Sequence, residues 1–501
     1  MLVKKAYLLL LLFLAGEGQA QAPAQLLKMQ VKVQPAADSF YRQLDYALCW
    51  TAPDHKQLAV LYSQLLDAES YGLDAGDYEH AYLQKFIAGR IVLPALQDTI
   101  EADIRITATA LHFYHDLAFG NTVPPLGYSN WRPVVTPGFT ALAAQYYNAG
   151  RLAGLPAALQ PDLPEIAVLL KKIAWVRDRL CDSAYRDLVV PAIFTTVPGR
   201  SLLLQRLQQL GFGAGPNADS AIRAAKREVG LSVNTLLTNT FIAELNCPLR
   251  IRLQQLKLAL NYYRWVNAGI NGDMLVLVNI PATVLKVYKG GQQVLGMKIV
   301  AGEPGKPTPA LASSITEAIL YPYWHVPRKI ATRELLPAIK RNPGYIDAHN
   351  YQVLDREGNI VAPGRVNWKA LSERNFPYLL RQSTGCDNAL GLVKFNFYNP
   401  YNVYLHDTPL KFAFGLDRRF LSHGCMRVEK PMELGHLLLR GNAIAIDTLT
   451  QKGCLRNQSP TSVPLPQPVP VLVWYNPAGI DEAGRLQFYP DVYNRFKWNT
   501  N

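Results

Sequence analysis

Cysteine is scarce in this chain. Cys49, Cys181, Cys247, Cys386, Cys425 and Cys454 are the six in 501 residues, too few for a small disulfide-stapled scaffold. Lysine and arginine never gather into a block, although the net charge is +13, and basic residues so scattered argue against an arm that grips nucleic acid. Beyond the first twenty residues no uninterrupted apolar run reaches membrane-spanning length. Charged residues are 18% of the chain against 49% hydrophobic, which excludes a solvated, disordered polymer. What remains is a folded, basic protein with room for two to four domains.

The beginning of the chain reads as a secretory signal. Lys4 and Lys5 precede an apolar run over residues 6–15, and Gly18 and Ala20 supply small residues for cleavage before Gln21. The run is short for a bilayer span, so a retained anchor is the alternative reading. No cysteine follows it to carry a lipid. The expectation is an exported, periplasmic protein whose positive charge either draws it to an acidic polymer or membrane face or is simply solvated.

Residues 38 to about 195 carry helical periodicity, as in Leu58, Leu61, Leu65 and Leu66, and again in Ile166, Leu169, Leu170 and Ile173. His112 and His115 share a helical face with no acidic or thiol partner in evidence, so a core or surface role is expected over a metal site. Three short helices follow: Leu202–Phe212 ending at a glycine, one around Ala221–Val229 and one around Asn234–Glu244. A long helix then runs from Leu249 to about Trp265. From Met274 the period changes to that of strands, with Lys289-Gly290-Gly291-Gln292 as a hairpin turn and a second hairpin from Leu392–Phe397 to Val403–His406. The expected fold class is α+β. The expected units are a helical domain over 21–196, a small helical domain over 197–250, a connecting helix over 251–271 and a β-rich domain over 272–454. A polar insertion at about 324–389 reads as a lid. The proline-rich tail, 455–501, is expected to pack its aromatic segment Phe488–Trp498 back onto the body.

The chemistry concentrates at Ser422-His423-Gly424-Cys425-Met426-Arg427, with Tyr404-Leu405-His406-Asp407 upstream. A thiol needs a base or a lowered pKa to become a nucleophile. His406 is the candidate base, at the end of a predicted strand whose alternation puts Tyr404 on the same face. Gly424 allows backbone N–H groups to approach an oxyanion without a Cβ in the way. Two plainer readings stand beside this one. A lone cysteine in a β domain is often a small buried hydrophobe. A cysteine with two histidines also suggests zinc, but no fourth ligand appears at metal spacing and Asp407 falls on the opposite strand face. No metal and no cofactor are expected.

His406, fifteen intervening residues and then Ser422-His423-Gly424-Cys425 resemble the signature of the L,D-transpeptidase catalytic (YkuD) domain. Tyr323–Pro327, Arg341–Tyr345, Asn388–Gly391 and Asn399–Pro409 resemble the large YcbB-type members. The three short helices resemble a peptidoglycan-binding module without its usual glycine-rich segment, which leaves glycan binding and a purely structural role equally open. The resemblance implies that Cys425 attacks the carbonyl between the third residue, a diamino acid, and the fourth, D-Ala, of a peptidoglycan tetrapeptide stem. It implies His406 as base, the Asp407 carbonyl as its orienting group, and the N–H groups of Gly424 and Cys425 as oxyanion donors. His423 would shape the pocket, while Tyr404, Ser422 and Arg427 would meet the substrate, Arg427 having a structural ion pair as its alternative. The partners implied are donor and acceptor stems, with other cell-wall synthesis proteins as possible associates and no nucleic acid. Hydrolysis or D-amino-acid exchange by the same acyl-enzyme, and a non-catalytic wall binder, are the competing functions. Cys386, inside the expected lid, is a candidate for a reversible disulfide with Cys425.

Overall fold

The computed structural model describes residues 21–52, 55–133, 138–191, 197–213, 218–442 and 444–499. The expected signal over residues 1–20 lies outside them. Among the described residues no helix is long and apolar enough to cross a membrane.

Helices up to Leu159 bury Tyr41, Trp50, Leu58, Leu61 and Phe113 in one core. The long helix Leu96–Phe119 crosses this core. Its fully buried Asp103 accepts hydrogen bonds from Tyr41 Oη at 2.6 Å, from the backbone N–H of Trp50 and Thr51 at 2.8 and 2.9 Å, and from Thr51 Oγ1 at 2.9 Å. So many donors make its carboxylate tolerable inside a protein. The same helix supplies the partner that His112 and His115 seemed to lack. Asp116 lies 3.4 Å from Nε2 of His112, four residues back on the same helix face, and 3.1 Å from Nδ1 of the adjacent His115. Among the described residues no group of three or more His, Cys, Asp or Glu is arranged to hold a metal ion.

Helices Val197–Gln209, Ala218–Glu228 and Asn239–Leu245 close on Leu203, Leu207, Ile222 and Phe241. Helix Leu249–Ile270 runs a turn beyond the expected Trp265. Tyr262, Tyr263 and Val266 on it pack with Ile166, Leu169 and Ile173 of the preceding helix Pro164–Leu180 against Leu275, Leu277 and Trp474 of the sheet.

The β-rich region is a sheet closed on itself. Its strands are β1 (Leu275–Asn279), β2 (Val284–Lys289), β3 (Gln292–Gly302), β4 (Leu311–Leu320), β5 (Val393–Phe397), β6 (Leu405–His406), β7 (Met426–Val428) and β8 (Thr461–Trp474). Pairing runs β1, β2, β3, β7, β6, β5, β4, β8 and back to β1. The β6–β7 and β8–β1 pairs are parallel and the others antiparallel. Closure leaves no free strand edge in this ring. Inside it, Val276, Val278, Ile299, Phe395, Leu405, Met426 and Val428 pack with Leu434 and Leu438 of helix Pro431–Leu439.

Two expectations change here. The tail is not merely packed on the body, since Thr461–Trp474 is a full strand that closes the ring. Prolines 464, 466, 468 and 470 hid it, because proline removes a ladder donor. The register shift between Pro464 and Val469 shows how the strand accommodates them. The tail's later aromatics do return to the body, where Tyr493 and Phe496 pack against the barrel core. Cys386 does not pair with Cys425: it is bonded to Cys454, and Cys425 is a free thiol. The loop carrying Cys386 is stitched to the segment after Cys454, with Gln458 N donating to Thr384 Oγ1 at 2.8 Å.

The insertion folds around its own apolar core of Ile339, Ile346, Val353, Trp368 and Leu380, with a small sheet of segments Trp324–His325, Leu379–Gln382, Tyr351–Leu354 and Ile360–Val361. It leaves the barrel after β4 and returns just before β5, next to the strand that carries His406.

Candidate active site

Register places the chemical residues on one face. Lys394 on β5 pairs with His406 on β6, and His406 pairs with Arg427 on β7. Side chains directly across neighbouring strands lie on the same side of a sheet, and alternation sends the intervening residues to the other. Val393, Phe395, Leu405, Met426 and Val428 therefore enter the barrel, while Lys394, Tyr404, His406 and Arg427 line the opposite face. Cys425 stands one residue before β7 and beside Tyr404, whose carbonyl accepts from Met426 N at 3.0 Å. The Tyr404 and His406 rings meet edge to face at 5.6 Å.

His406 is 4% exposed, and its Nδ1 lies 2.5 Å from the Asp407 carbonyl. A carbonyl only accepts, so Nδ1 carries the hydrogen and the neutral ring presents an unprotonated Nε2. Burial, then the positive charges of Arg427 and Lys394, pull its pKa down to about 3. Burial pushes the Cys425 thiol up, against the hydrogen bonds of Tyr404's N–H and hydroxyl and the charges of Lys394 and Arg427. At neutral pH the resting centre is thus a neutral thiol with a neutral imidazole, an arrangement competent for proton transfer coupled to attack on a carbonyl.

Family models match at this point. Residues 273–446 match the L,D-transpeptidase catalytic domain and residues 35–172 match a Scaffold domain. This chain carries an L,D-transpeptidase catalytic domain. A curated relative from Haemophilus influenzae, named "Putative L,D-transpeptidase", is 37% identical over 219 residues. That match spans 44% of this chain and 44% of the relative. Among solved structures, an L,D-transpeptidase from Mycobacterium smegmatis is 15% identical over 40% of this chain and 58% of its own, with a TM-score of 0.19. Another from Stackebrandtia nassauensis is 12% identical over 55% of this chain and 89% of its own, also at 0.19.

Within the L,D-transpeptidase domain the loop before Cys425 differs from expectation in its hydrogen bonds. Ser422, expected to meet the substrate, is 3% exposed and braces the loop. Its Oγ donates to the Cys425 carbonyl at 2.6 Å and accepts from Gly424 N at 3.1 Å. The Gly424 N–H expected to face an oxyanion is therefore engaged, and the Cys425 N–H is the one for which no partner is seen among the described residues. Gly424 sits at φ +114°, a backbone that a residue with Cβ rarely adopts. Its carbonyl is held by Thr308 Oγ1 at 2.9 Å, and Thr308 N is met by the tail's Tyr493 Oη at 3.3 Å.

His423 extends outward. Its Nε2 is 2.7 Å from Glu334 Oε1 and 2.6 Å from Lys306 Nζ, and Lys306 pairs with Glu334 at 3.1 Å. Glu334 belongs to the insertion, so this cluster joins the expected lid to the cysteine loop. Sequence reading missed Lys306, Glu334 and Lys394. The first two meet His423 only through the fold. Lys394 was within reach: it is a polar outward position between Val393 and Phe395 in a strand already recognised.

Asp407 contributes through its backbone and its place. Its carboxylate accepts from Leu392 N at 2.9 Å and pairs with Lys411 at 2.5 Å, which fixes the carbonyl that holds His406. Gly391, at φ +61°, lies so close that a Cβ there would run into the Asp407 carboxylate. We expect Gly391→Ala to strain the turn by about 1–3 kcal/mol and, by displacing the His406 support, to lower activity by about 10²-fold. Kinetics together with a thermal melt check this: a normal rate in a folded variant would contradict it.

A cavity of about 700 Å³ opens elsewhere, between the 197–250 unit and strands β1–β3, lined by Arg227, Tyr263, Lys286, Arg419, Trp474 and Tyr489. Cys425, His406 and Tyr404 do not line it.

Proposed function

We propose that this chain is a peptidoglycan L,D-transpeptidase that joins two stems through their third residues by way of a Cys425 thioester. The observation that supports it most is the one-face row of Lys394, His406 and Arg427 beside a free Cys425, inside a domain of that family. Cys425 Sγ attacks the carbonyl between the third residue and D-Ala while its proton passes to His406 Nε2. A C–S bond forms, and the tetrahedral oxyanion meets the Cys425 N–H. The C–N bond then breaks, and the D-Ala amine takes the proton from His406. The side-chain amine of a second stem attacks the thioester, gives its proton to His406, and the thiol is restored as the C–S bond breaks. Water in place of that amine gives the hydrolase, and a free D-amino acid gives exchange. An exported, periplasmic location fits this substrate.

The test is incubation of the protein with purified disaccharide-tetrapeptide, with products read by mass spectrometry. Dimer with loss of D-Ala is expected, and neither dimer nor tripeptide from Cys425→Ala. Tripeptide alone identifies the hydrolase, and unchanged substrate overturns the enzymatic reading. Solved L,D-transpeptidases include one in complex with imipenem, and we extend this to the present chain as an expected covalent adduct of imipenem on Cys425.

A further inference from the structure

Lys394 and Arg427 stand on either side of His406, each one strand away, so about 10 Å separates their positions at the usual strand spacing. Both are half-buried. Among the described residues neither side chain makes an ion pair or a hydrogen bond, and Lys394 Nζ instead rests 4.1 Å from the centre of the Tyr404 ring. Glu317, which faces Lys394 diagonally from β4, is already engaged by Asn396 Nδ2 at 2.8 Å and by Ser462. Half-buried cations usually acquire a counter-charge, because desolvation without pairing is unfavourable. Two of them without a direct ion pair beside a free thiol, Lys394 offset only by the nearby charge of Glu317 and Arg427 by no carboxylate, are arranged for anions brought by a ligand.

We propose that Lys394 and Arg427 form a two-cation clamp selecting acyl donors that carry a free carboxylate on each side of the scissile carbonyl. This rests on the transpeptidase reading and names its donor class: a tetrapeptide whose third residue is a diamino acid with a free, unamidated side-chain carboxylate and whose fourth ends in a free carboxylate. Each cation takes one carboxylate, and the reacting carbonyl is held between them, over His406 and Cys425. Lys394 is a specificity-determining residue here, the counterpart of Arg427 on the other side of the base. Binding would also bring negative charge to the two cations that add to burial in weakening His406 as a base, so the correct donor would strengthen the base that acts on it.

The experiment measures binding without turnover. In the Cys425→Ala protein, dissociation constants are determined for three synthetic tetrapeptides: both carboxylates free, the side-chain carboxylate amidated, and the terminal carboxylate amidated. We expect each amidation to weaken binding on the order of tenfold. Adding Lys394→Met should abolish the penalty for one amidation only, adding Arg427→Gln should abolish the penalty for the other, and Lys394→Arg should retain the wild-type pattern. Equal weakening of all three peptides by Lys394→Met would reduce Lys394 to a structural role and overturn the clamp, as would indifference to amidation. Failure to form dimer or tripeptide in the turnover assay, with selective binding intact, would count against the reaction and not against the clamp.

Discussion

His406→Asn should lower kcat/KM for D-Ala release by about 10²–10⁴-fold, the usual contribution of a positioned general base, while leaving the domain folded. The side chain lies on the outer face of β6, and the barrel core is built from its neighbours Leu405 and Met426, so its loss empties no core position. The same substitution has a signature in stability. In the unfolded chain an imidazole takes up a proton near pH 6.5, whereas in the folded protein His406 does so only near pH 3. Between these values the unfolded state binds more protons, so stability falls as pH falls. His406→Asn removes that proton uptake. Its denaturant midpoint should therefore drop less than that of the parent between pH 7 and pH 4, by a difference on the order of 2–3 kcal/mol. Parallel curves for the two proteins would show that His406 is not buried as a neutral ring.

Loss of the Cys386–Cys454 disulfide should be the most damaging change to stability. It closes a segment with a sequence separation of 68, for which loop-closure entropy gives a contribution of about 4 kcal/mol in the chain-entropy model. The segment contains the return strand β5, β6 with His406, the cysteine loop and the helices Pro431–Leu439 and Ile444–Lys452 that follow it. Cys386→Ser or Cys454→Ser should lower the denaturant midpoint by a matching amount, and reductant should do so in the parent but not in either variant. The root of the insertion is anchored by the same bond, so loosening is expected at Leu379–Asn388 before the barrel core opens, readable by hydrogen exchange. A midpoint unmoved by reductant would mean the two sulfurs are not joined.

Much of this was legible in the sequence because the catalytic region obeys simple periodicities. Alternation in Val393-Lys394-Phe395-Asn396-Phe397 and the step from Tyr404 to His406 disclose the strands and which side chains share a face. The spacing from His406 to Cys425, together with the flanking motifs at Tyr323–Pro327, Arg341–Tyr345, Asn388–Gly391 and Asn399–Pro409, carries the resemblance to the family. What escaped depends on contacts between distant segments. Four prolines between residues 464 and 470 mask a strand that pairing with β4 and β1 imposes. Cys454 becomes the partner of Cys386 through the route of the chain, which no spacing rule encodes. The engagement of Gly424 N–H by Ser422 is a local turn geometry invisible in a Ser-His-Gly-Cys string. His423 was expected to shape the pocket, and the partners that hold its ring nitrogen, Glu334 and Lys306, are residues far away in the chain.

The nucleophile can be tested directly by intact-protein mass spectrometry. The protein is mixed with tetrapeptide donor, with no acceptor amine present, and quenched in acid within a turnover. A mass increase equal to the tripeptidyl group, mapped by digestion to the peptide containing Cys425 and absent from Cys425→Ala, is the predicted result. The same increase in Cys425→Ala, or its appearance on Cys49, Cys181 or Cys247, would contradict it.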